Sequence, residues 1–149
     1  MNGKRLRVNP ARGLKGELPL PANGTLVAHI YTSNAQIPLP GSTLTVTRTE
    51  PDGRLRLLGV RISNFDGFTS PIVIETPARA ESQQYAEGQK PYATVDIRME
   101  HAQYDRVLIR NVQIFPDTQS LQEQMLIPTP ALPDSYSRTE TVVIPEQLL

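Results

Sequence analysis

The chain contains no cysteine and no tryptophan, and its 15 basic side chains are balanced by 15 acidic ones. Without cysteine, a disulfide framework, thiol catalysis and cysteine-ligated zinc are all excluded. Zero net charge argues against a surface built throughout for nucleic acid. No apolar run approaches the roughly 20 residues of a membrane-spanning helix, and no apolar stretch follows the basic start as in an export signal. The sequence therefore predicts neither a membrane span nor a signal peptide.

The balanced charge is distributed unevenly along the chain. Residues 1–23 carry five basic residues against one acidic residue, whereas residues 117–149 carry five acidic residues against one basic residue. Both segments hold several of the 14 prolines, which favour extended, polyproline-like conformations. We therefore predict three parts: a basic extended N-terminal arm (1–23), a folded domain (24–127) and a proline-rich acidic C-terminal arm (128–149).

Between the arms, short stretches of alternating apolar and polar residues predict β-strands. Glu50-Pro51-Asp52-Gly53 is a strong turn signal, because proline presets φ and glycine supplies a positive φ. No stretch shows convincing helical periodicity. Seven short strands separated by turns predict an all-β sandwich, with strands at Thr25–Tyr31, Thr43–Thr49, Arg54–Arg61, Ile72–Glu75, Tyr92–Glu100, Arg106–Phe115 and Leu121–Ile127.

One predicted strand changes phase along its length. Val107 and Ile109 alternate inward, and the alternation resumes one residue out of step at Val112 and Ile114. A single added residue flips the inward face of a strand, so the sequence predicts a β-bulge at Arg110-Asn111.

The order of these features resembles a known domain family. Residues 24–27 (GTLV) lead to 37–46 (IPLPGSTLTV), then to the turn at 64–68 (NFDGF) and the strand at 92–99. This pattern resembles carboxypeptidase regulatory-like domains, although Gln103 stands where that family usually has glycine before Tyr104. The resemblance implies a seven-stranded antiparallel β-sandwich of the transthyretin-like (prealbumin) type over about residues 24–127, with both arms outside it.

A narrower likeness lies in residues 71–77, 90–95 and 111–116. These segments are similar to the accessory β-domain of clostridial spore cortex-lytic enzymes and of small companion proteins in spore-forming bacteria. That resemblance implies a location in the spore or the mother-cell cytoplasm. It also implies peptidoglycan or another glycan as a ligand.

Residues that carry enzyme chemistry are sparse. The sequence has two histidines, His29 and His101, but no Gly-x-Ser-x-Gly nucleophile elbow that would supply a catalytic serine. It also has no phosphate-binding loop. Asp96 and Glu100 share a strand face about 13 Å apart, beyond the separation that glycosidases use. We therefore predict no enzyme activity, no cofactor and no metal site.

Three aromatic residues are candidates for ligand contact. Phe65 and Phe68 flank the Asp66-Gly67 turn, and Tyr85 lies in the long polar loop at 77–91. Exposed loop aromatics stack on sugar rings or anchor a partner, whereas packing within the loop is the alternative.

The arms carry the leading functional hypothesis, which is self-association into a ring or filament or docking to a larger protein scaffold. An arm that runs along a neighbour's sheet edge forms main-chain hydrogen bonds, and opposite charges select the direction. A solvated arm and a glycan-binding module are the alternatives; nucleic acid is not favoured, because the basic arm has no aromatic residue to stack on bases. The predicted contact residues are Lys4, Arg5, Arg7, Arg12 and Lys15 in the first arm and Thr141, Val142, Val143 and Ile144 in the second.

Overall fold

The computed structural model describes residues 21–78, 90–131 and 138–147. These residues form nine β-strands and no helix, which confirms the all-β prediction. None of them belongs to a helix long and apolar enough to cross a membrane. In chain order the strands are β1 (Ala22–Thr32), β2 (Ile37–Pro38), β3 (Thr43–Thr49), β4 (Leu55–Ile62), β5 (Ile72–Thr76), β6 (Ala93–Glu100), β7 (Arg106–Ile114), β8 (Gln119–Met125) and β9 (Thr139–Val143).

The strands form two sheets. In the first sheet β1 is central: β8 lies along one edge of β1, while β5 and the short β2 share the other edge. The second sheet has the order β4-β3-β6-β7-β9. The first of its hairpins turns at Gly53, whose N–H donates to the Glu50 carbonyl at 2.8 Å, as the turn signal predicts.

Two features differ from the predicted seven antiparallel strands. The described chain has nine strands, because β2 and β9 are additional. Two pairings are parallel, β1 with β8 and β7 with β9. A parallel pair needs a connection that returns the chain to the end of the sheet where it began. Here β8, which lies in the first sheet, provides that return between β7 and β9.

The core lies between the two sheets. Alternate residues of β1 (Leu26, Ala28 and Ile30) are fully buried against alternate residues of the second sheet, such as Val95 and Ile97. Burying an aliphatic side chain of this size stabilises the fold by about 1.5–3 kcal/mol. The period-2 patterns of the sequence therefore identify the inward faces of β1, β3 and β6.

The predicted bulge in β7 is confirmed. Val112 pairs with Val95 and Ile109 pairs with Ile97, so two residues of β7 lie opposite Asp96 alone. Asn111 takes a positive φ of 64°, and its N–H donates to an Asp96 carboxylate oxygen at 3.1 Å. The bulge thereby returns Val112 to the core side of the sheet, where it is buried.

Strand β4 exposes its aliphatic residues instead of burying them. Leu55, Leu57, Val60 and Ile62 are each 44–69% exposed and pair across the outer face with the threonines of β3. A register shift at Leu58 keeps all four on that outer face. Alternation alone does not tell which side of a strand meets the core, and β4 is the strand where that ambiguity matters.

Candidate functional site

The strongest candidate site is the outer edge of β7 together with the chain that lies on it. Residues 138–147, which we call the C-terminal strap, run parallel to β7. Their strand, β9, pairs from Arg106–Thr139 through to Arg110–Val143. Most strap side chains are exposed; Ile144 packs against the core cluster. Backbone pairing, rather than side-chain burial, therefore holds the strap in place.

The start of the strap is fixed by charged side chains. Asp105 is only 13% exposed, and its carboxylate lies 3.5 Å from the guanidinium of Arg138. The same carboxylate accepts a hydrogen bond from the Thr129 hydroxyl at 2.9 Å. Arg106 donates from Nη1 to the Thr139 hydroxyl at 3.2 Å. These contacts tie both ends of the segment between β8 and β9 to the start of β7.

The far end of the strap is held by a second polar cluster. Tyr92 donates its hydroxyl proton to Glu146 at 2.9 Å, and Lys90 pairs with the same carboxylate oxygen. The hydrogen bond from Lys90, followed by that from Tyr92, lowers the pKa of Glu146 from its ordinary value. The reciprocal hydrogen bond raises the pKa of Lys90. The strap is therefore anchored electrostatically at both ends.

A groove lies beside the start of the strap. We call it the end groove; it has a volume of about 790 Å³ and its walls include Thr43, Glu100, His101, Tyr104, Arg106 and Arg138. Both ring nitrogens of His101 face backbone carbonyls, those of Pro40 at 3.1 Å and Ala102 at 3.0 Å. Only one of them donates in a neutral imidazole. The ring of Tyr104 meets that of His101 edge-on at 5.3 Å.

The turn at residues 64–68, which we call the aromatic turn, presents Phe65 to solvent with 87% of its surface exposed. Asn64 Oδ1 accepts the N–H groups of Asp66 and Phe68 at 2.9 and 3.0 Å. Phe68 stacks on His29 with ring centroids 4.2 Å apart and an interplanar angle of 9°. Side-chain and backbone hydrogen bonds therefore stabilise this turn.

The sequence-predicted contact residues fall into two groups. Lys4, Arg5, Arg7, Arg12, Lys15 and Tyr85 lie outside the described residues. Thr141, Val142 and Val143 lie in β9 and Ile144 directly follows it, in register with β7 of the same chain. Within the described chain this segment therefore already has a partner, because the bulged edge of β7 accepts it.

Sequence reasoning missed the acceptor side of this pairing. The strap is held by four residues near strand ends, Lys90, Tyr92, Asp105 and Arg106. In the sequence each of them is a single polar residue that belongs to no recognisable motif. The one signal available in the sequence is the phase change at Arg110-Asn111, which marks β7 as a strand with an altered edge. Among the described residues, no three acidic or histidine side chains cluster as metal ligands.

Comparison with known proteins identifies no family. No protein-family model matches the chain, and no curated protein matches it. Among solved structures, it is similar to the mercury-inhibited catechol 1,2-dioxygenase from Acinetobacter sp. ADP1, with a TM-score of 0.48 and 11% identity over 83% of this chain and 60% of that chain. A 9R-lipoxygenase from Cyanothece PCC8801 gives a TM-score of 0.41 and 12% identity over 76% of this chain and 18% of that chain. At these TM-scores the similarities support no conclusion about function.

Proposed function

We propose that this protein is a non-catalytic assembly protein whose C-terminal strap is exchanged between copies. The observation that carries the proposal is the pairing of β9 with the edge of β7, in which backbone hydrogen bonds dominate and most strap side chains remain exposed. This is the geometry of strand addition to a sheet edge. Because the strap is held by pairing with the edge of β7 and by anchors at its two ends, the strap of a second copy can make the same contacts there.

The exchange is head-to-tail. The strap of one copy occupies β7 of a second copy, whose own strap is then available to a third. Such a contact closes into a ring or continues as a filament. The acidic strap residues Glu140 and Glu146 and the basic arm residues Lys4, Arg5, Arg7, Arg12 and Lys15 have opposite charges, which favours one direction of approach. A sheet edge on a larger scaffold protein would be an equivalent acceptor.

For the fold itself we infer a transthyretin-like sandwich. The support is the sequence resemblance together with two sheets that enclose one core. In this interpretation β2 and β9 are additions to the seven strands of the family pattern, and β9 is the addition with a function.

Two single-cysteine variants test the exchange, because the natural chain has no cysteine. Leu108 and Thr141 are partners in the β7–β9 register. Adjacent strands lie about 4.8 Å apart, which is within disulfide range. We mix Leu108→Cys chains with Thr141→Cys chains under mild oxidation. Exchange predicts a covalent heterodimer on a non-reducing gel and masses above 16.5 kDa by light scattering of the natural chain.

The controls separate exchange from random collision. Leu121→Cys, which is 52% exposed on β8, replaces Thr141→Cys in the matched mixture and yields no heterodimer above background. A chain that carries both Leu108→Cys and Thr141→Cys and is oxidised as a dilute monomer locks its own strap and then stays monomeric on concentration. A monomer at every concentration, with equal cross-linking in both mixtures, rules the proposal out.

A second candidate function is glycan binding through the aromatic turn. A hydrogen-bonded turn that leaves Phe65 87% exposed, next to the Phe68–His29 stack, favours this function. Aromatic faces of this kind pack against the apolar faces of sugar rings. Peptidoglycan is the candidate ligand, in keeping with the resemblance to spore cortex-lytic enzymes.

Co-sedimentation with purified peptidoglycan tests this second function. We expect Phe65→Ala and Phe68→Ala to abolish sedimentation, with Tyr85→Ala as the third predicted contact. Val73→Ala, which also removes an exposed apolar side chain, serves as the control. If the unmodified chain stays in the supernatant at high concentration, the glycan function is excluded.

A further inference from the structure

The end groove contains two guanidinium groups that are held in place but only partly used. Arg106 donates from Nε to Glu100 at 3.2 Å and from Nη1 to Thr139 at 3.2 Å. Arg138 meets Asp105 through Nε at 3.5 Å. Among the described residues, Arg106 Nη2 and both terminal nitrogens of Arg138 have no hydrogen-bond partner. Their side chains are 37% and 53% exposed, so these N–H groups are accessible from the groove.

The carboxylates behind these arginines are already occupied. One carboxylate oxygen of Glu100 pairs with Arg98 Nε at 2.9 Å, and the other pairs with Arg106 Nε at 3.2 Å. One carboxylate oxygen of Asp105 accepts the Thr129 hydroxyl, and the other pairs with Arg138 Nε. Three guanidinium groups therefore face two carboxylates, which leaves one positive charge around the groove. Carboxylates that bind one side of a guanidinium orient its other side, and that side fits an oxyanion in a two-pronged fashion.

The remaining walls of the end groove fit the uncharged, hydroxylated part of a ligand. The ring of Tyr104 and the neighbouring Pro128 and Pro130 give apolar surface. Within the described chain, the hydroxyl of Thr43 and the side-chain amide of Gln103 have no hydrogen-bond partner. A volume of about 790 Å³ lies within the range of roughly 300–1,000 Å³ of small-molecule sites.

We propose that the end groove binds a small hydroxylated carboxylate of the size of a uronic acid. The carboxylate lies on the free N–H groups of Arg106 and Arg138. Its hydroxyl groups bond to Thr43 and Gln103, and the face of its ring packs on Tyr104. The site needs a strap on β7, since Arg138 belongs to the strap, but its geometry is the same whether that strap is the chain's own or that of a second copy.

Titration of isotope-labelled protein with D-glucuronate, followed by amide chemical shifts, tests the proposal. We expect saturable shifts at Gly41, Thr43 and Gln103. D-glucose has the same ring without the carboxylate, and inorganic phosphate has the charge without the ring. We expect both to bind roughly tenfold or more weakly, glucose because it makes no charge-assisted hydrogen bond to the arginines and phosphate because it makes no contact with Tyr104.

Variants assign the binding to named residues. Arg138→Gln is expected to weaken glucuronate binding about tenfold, and Thr43→Val, which leaves the strap contacts intact, about threefold to tenfold. Arg54→Gln removes a guanidinium that is 86% exposed in a turn outside the groove lining and has no effect. Equal binding of glucose or phosphate overturns the assignment, as does an absence of saturation or an unchanged affinity in both Arg138→Gln and Thr43→Val.

Discussion

Gly67 shows how a single residue can carry a constraint that no other residue type meets. Its φ is +83°, and a Cβ atom at this position would lie 2.5 Å from the Ile30 carbonyl oxygen. Its own carbonyl accepts the Ile30 N–H at 2.8 Å, so the turn cannot move away without losing a hydrogen bond. The exposed position of Phe65 therefore depends on the absence of a side chain two residues later.

Gly67→Ala is expected to lower the free energy of unfolding by roughly 2–4 kcal/mol, since a left-handed backbone costs about 1–2 kcal/mol and the clash adds to it. Gly53→Ala is the matched control, because Gly53 has a φ of +86° and no atom within 4 Å of the point that a Cβ would occupy. Urea denaturation of the two variants isolates the clash. Equal losses of stability in the two variants would show that the contact with Ile30 has no energetic weight.

Glu146 is expected to govern how the far end of the strap responds to pH. Its folded-state pKa lies below the ordinary 4.5, so its contribution is complete above the unfolded pKa and is lost as the pH falls through the folded value. The folded-state pKa of Lys90 lies above 10.5, so its contribution is complete below the unfolded pKa and is lost as the pH rises through the folded value. We expect the Ile144 amide shift to be constant near neutral pH and to change in acid. Glu146→Gln removes the acid change; an identical acid response in that variant would assign the change to another group.

At the scale of elements, β4 and β9 are both edge strands of the second sheet but differ in character. β4 presents four exposed aliphatic side chains, whereas β9 presents threonines, Glu140 and one exposed valine. An aliphatic edge strand is prone to unspecific pairing between chains, while a polar one pairs only where register and anchors agree. The two edges therefore predict two separate kinds of association.

Leu57→Lys is expected to suppress unspecific aggregation on concentration or heating. A charge on an edge strand opposes edge-to-edge pairing, and Leu57 is 61% exposed, so stability changes by no more than about 0.5 kcal/mol. Light scattering during a thermal ramp measures the effect. Leu121→Lys places the same charge on β8 and gives the comparison. If both variants scatter as the natural chain does, β4 is not the surface that aggregates.

Local sequence patterns predict the strands and their inward faces, but they do not predict which strands pair. Alternation places β1, β3 and β6 and their inward residues, and the phase change places the bulge at Arg110-Asn111. β9 has a β-branched pattern, yet its partner lies about 33 residues earlier and is selected by Asp105, Arg106 and Tyr92. Propensity describes a strand alone, and the choice of edge arises from contacts that local sequence does not encode. The end groove was missed for the same reason, because its walls come from four separate segments.

At the scale of the whole molecule, the two C-terminal strands carry very different weight. β8 pairs with seven consecutive residues of the central strand β1, and Leu126, which follows it, is fully buried. The strap lies outside the core apart from Ile144. β8 is therefore an integral strand of the first sheet, whereas β9 lies at the surface on the edge of β7.

Truncations test this difference. Deletion of residues 138–149 is expected to leave a folded, less stable domain, because only the outer edge of β7 is uncovered. Deletion of residues 119–149 removes β8 and Leu126 and is expected to abolish cooperative unfolding, since loss of one buried leucine alone costs about 2–5 kcal/mol. Circular dichroism during thermal unfolding distinguishes the two. A cooperative transition in the longer deletion would place β8 outside the essential fold.

The parallel pairing of β1 with β8 also has a consequence for synthesis. The partners His29 and Glu123 are 94 residues apart, so the first sheet cannot be completed until most of the chain has left the ribosome. At about 5–20 residues per second, translation leaves β1 without that neighbour for roughly 5–20 seconds. During this interval one edge of β1 is open to solvent and to other nascent chains. The yield of folded protein is therefore expected to depend on the speed of translation between β1 and β8.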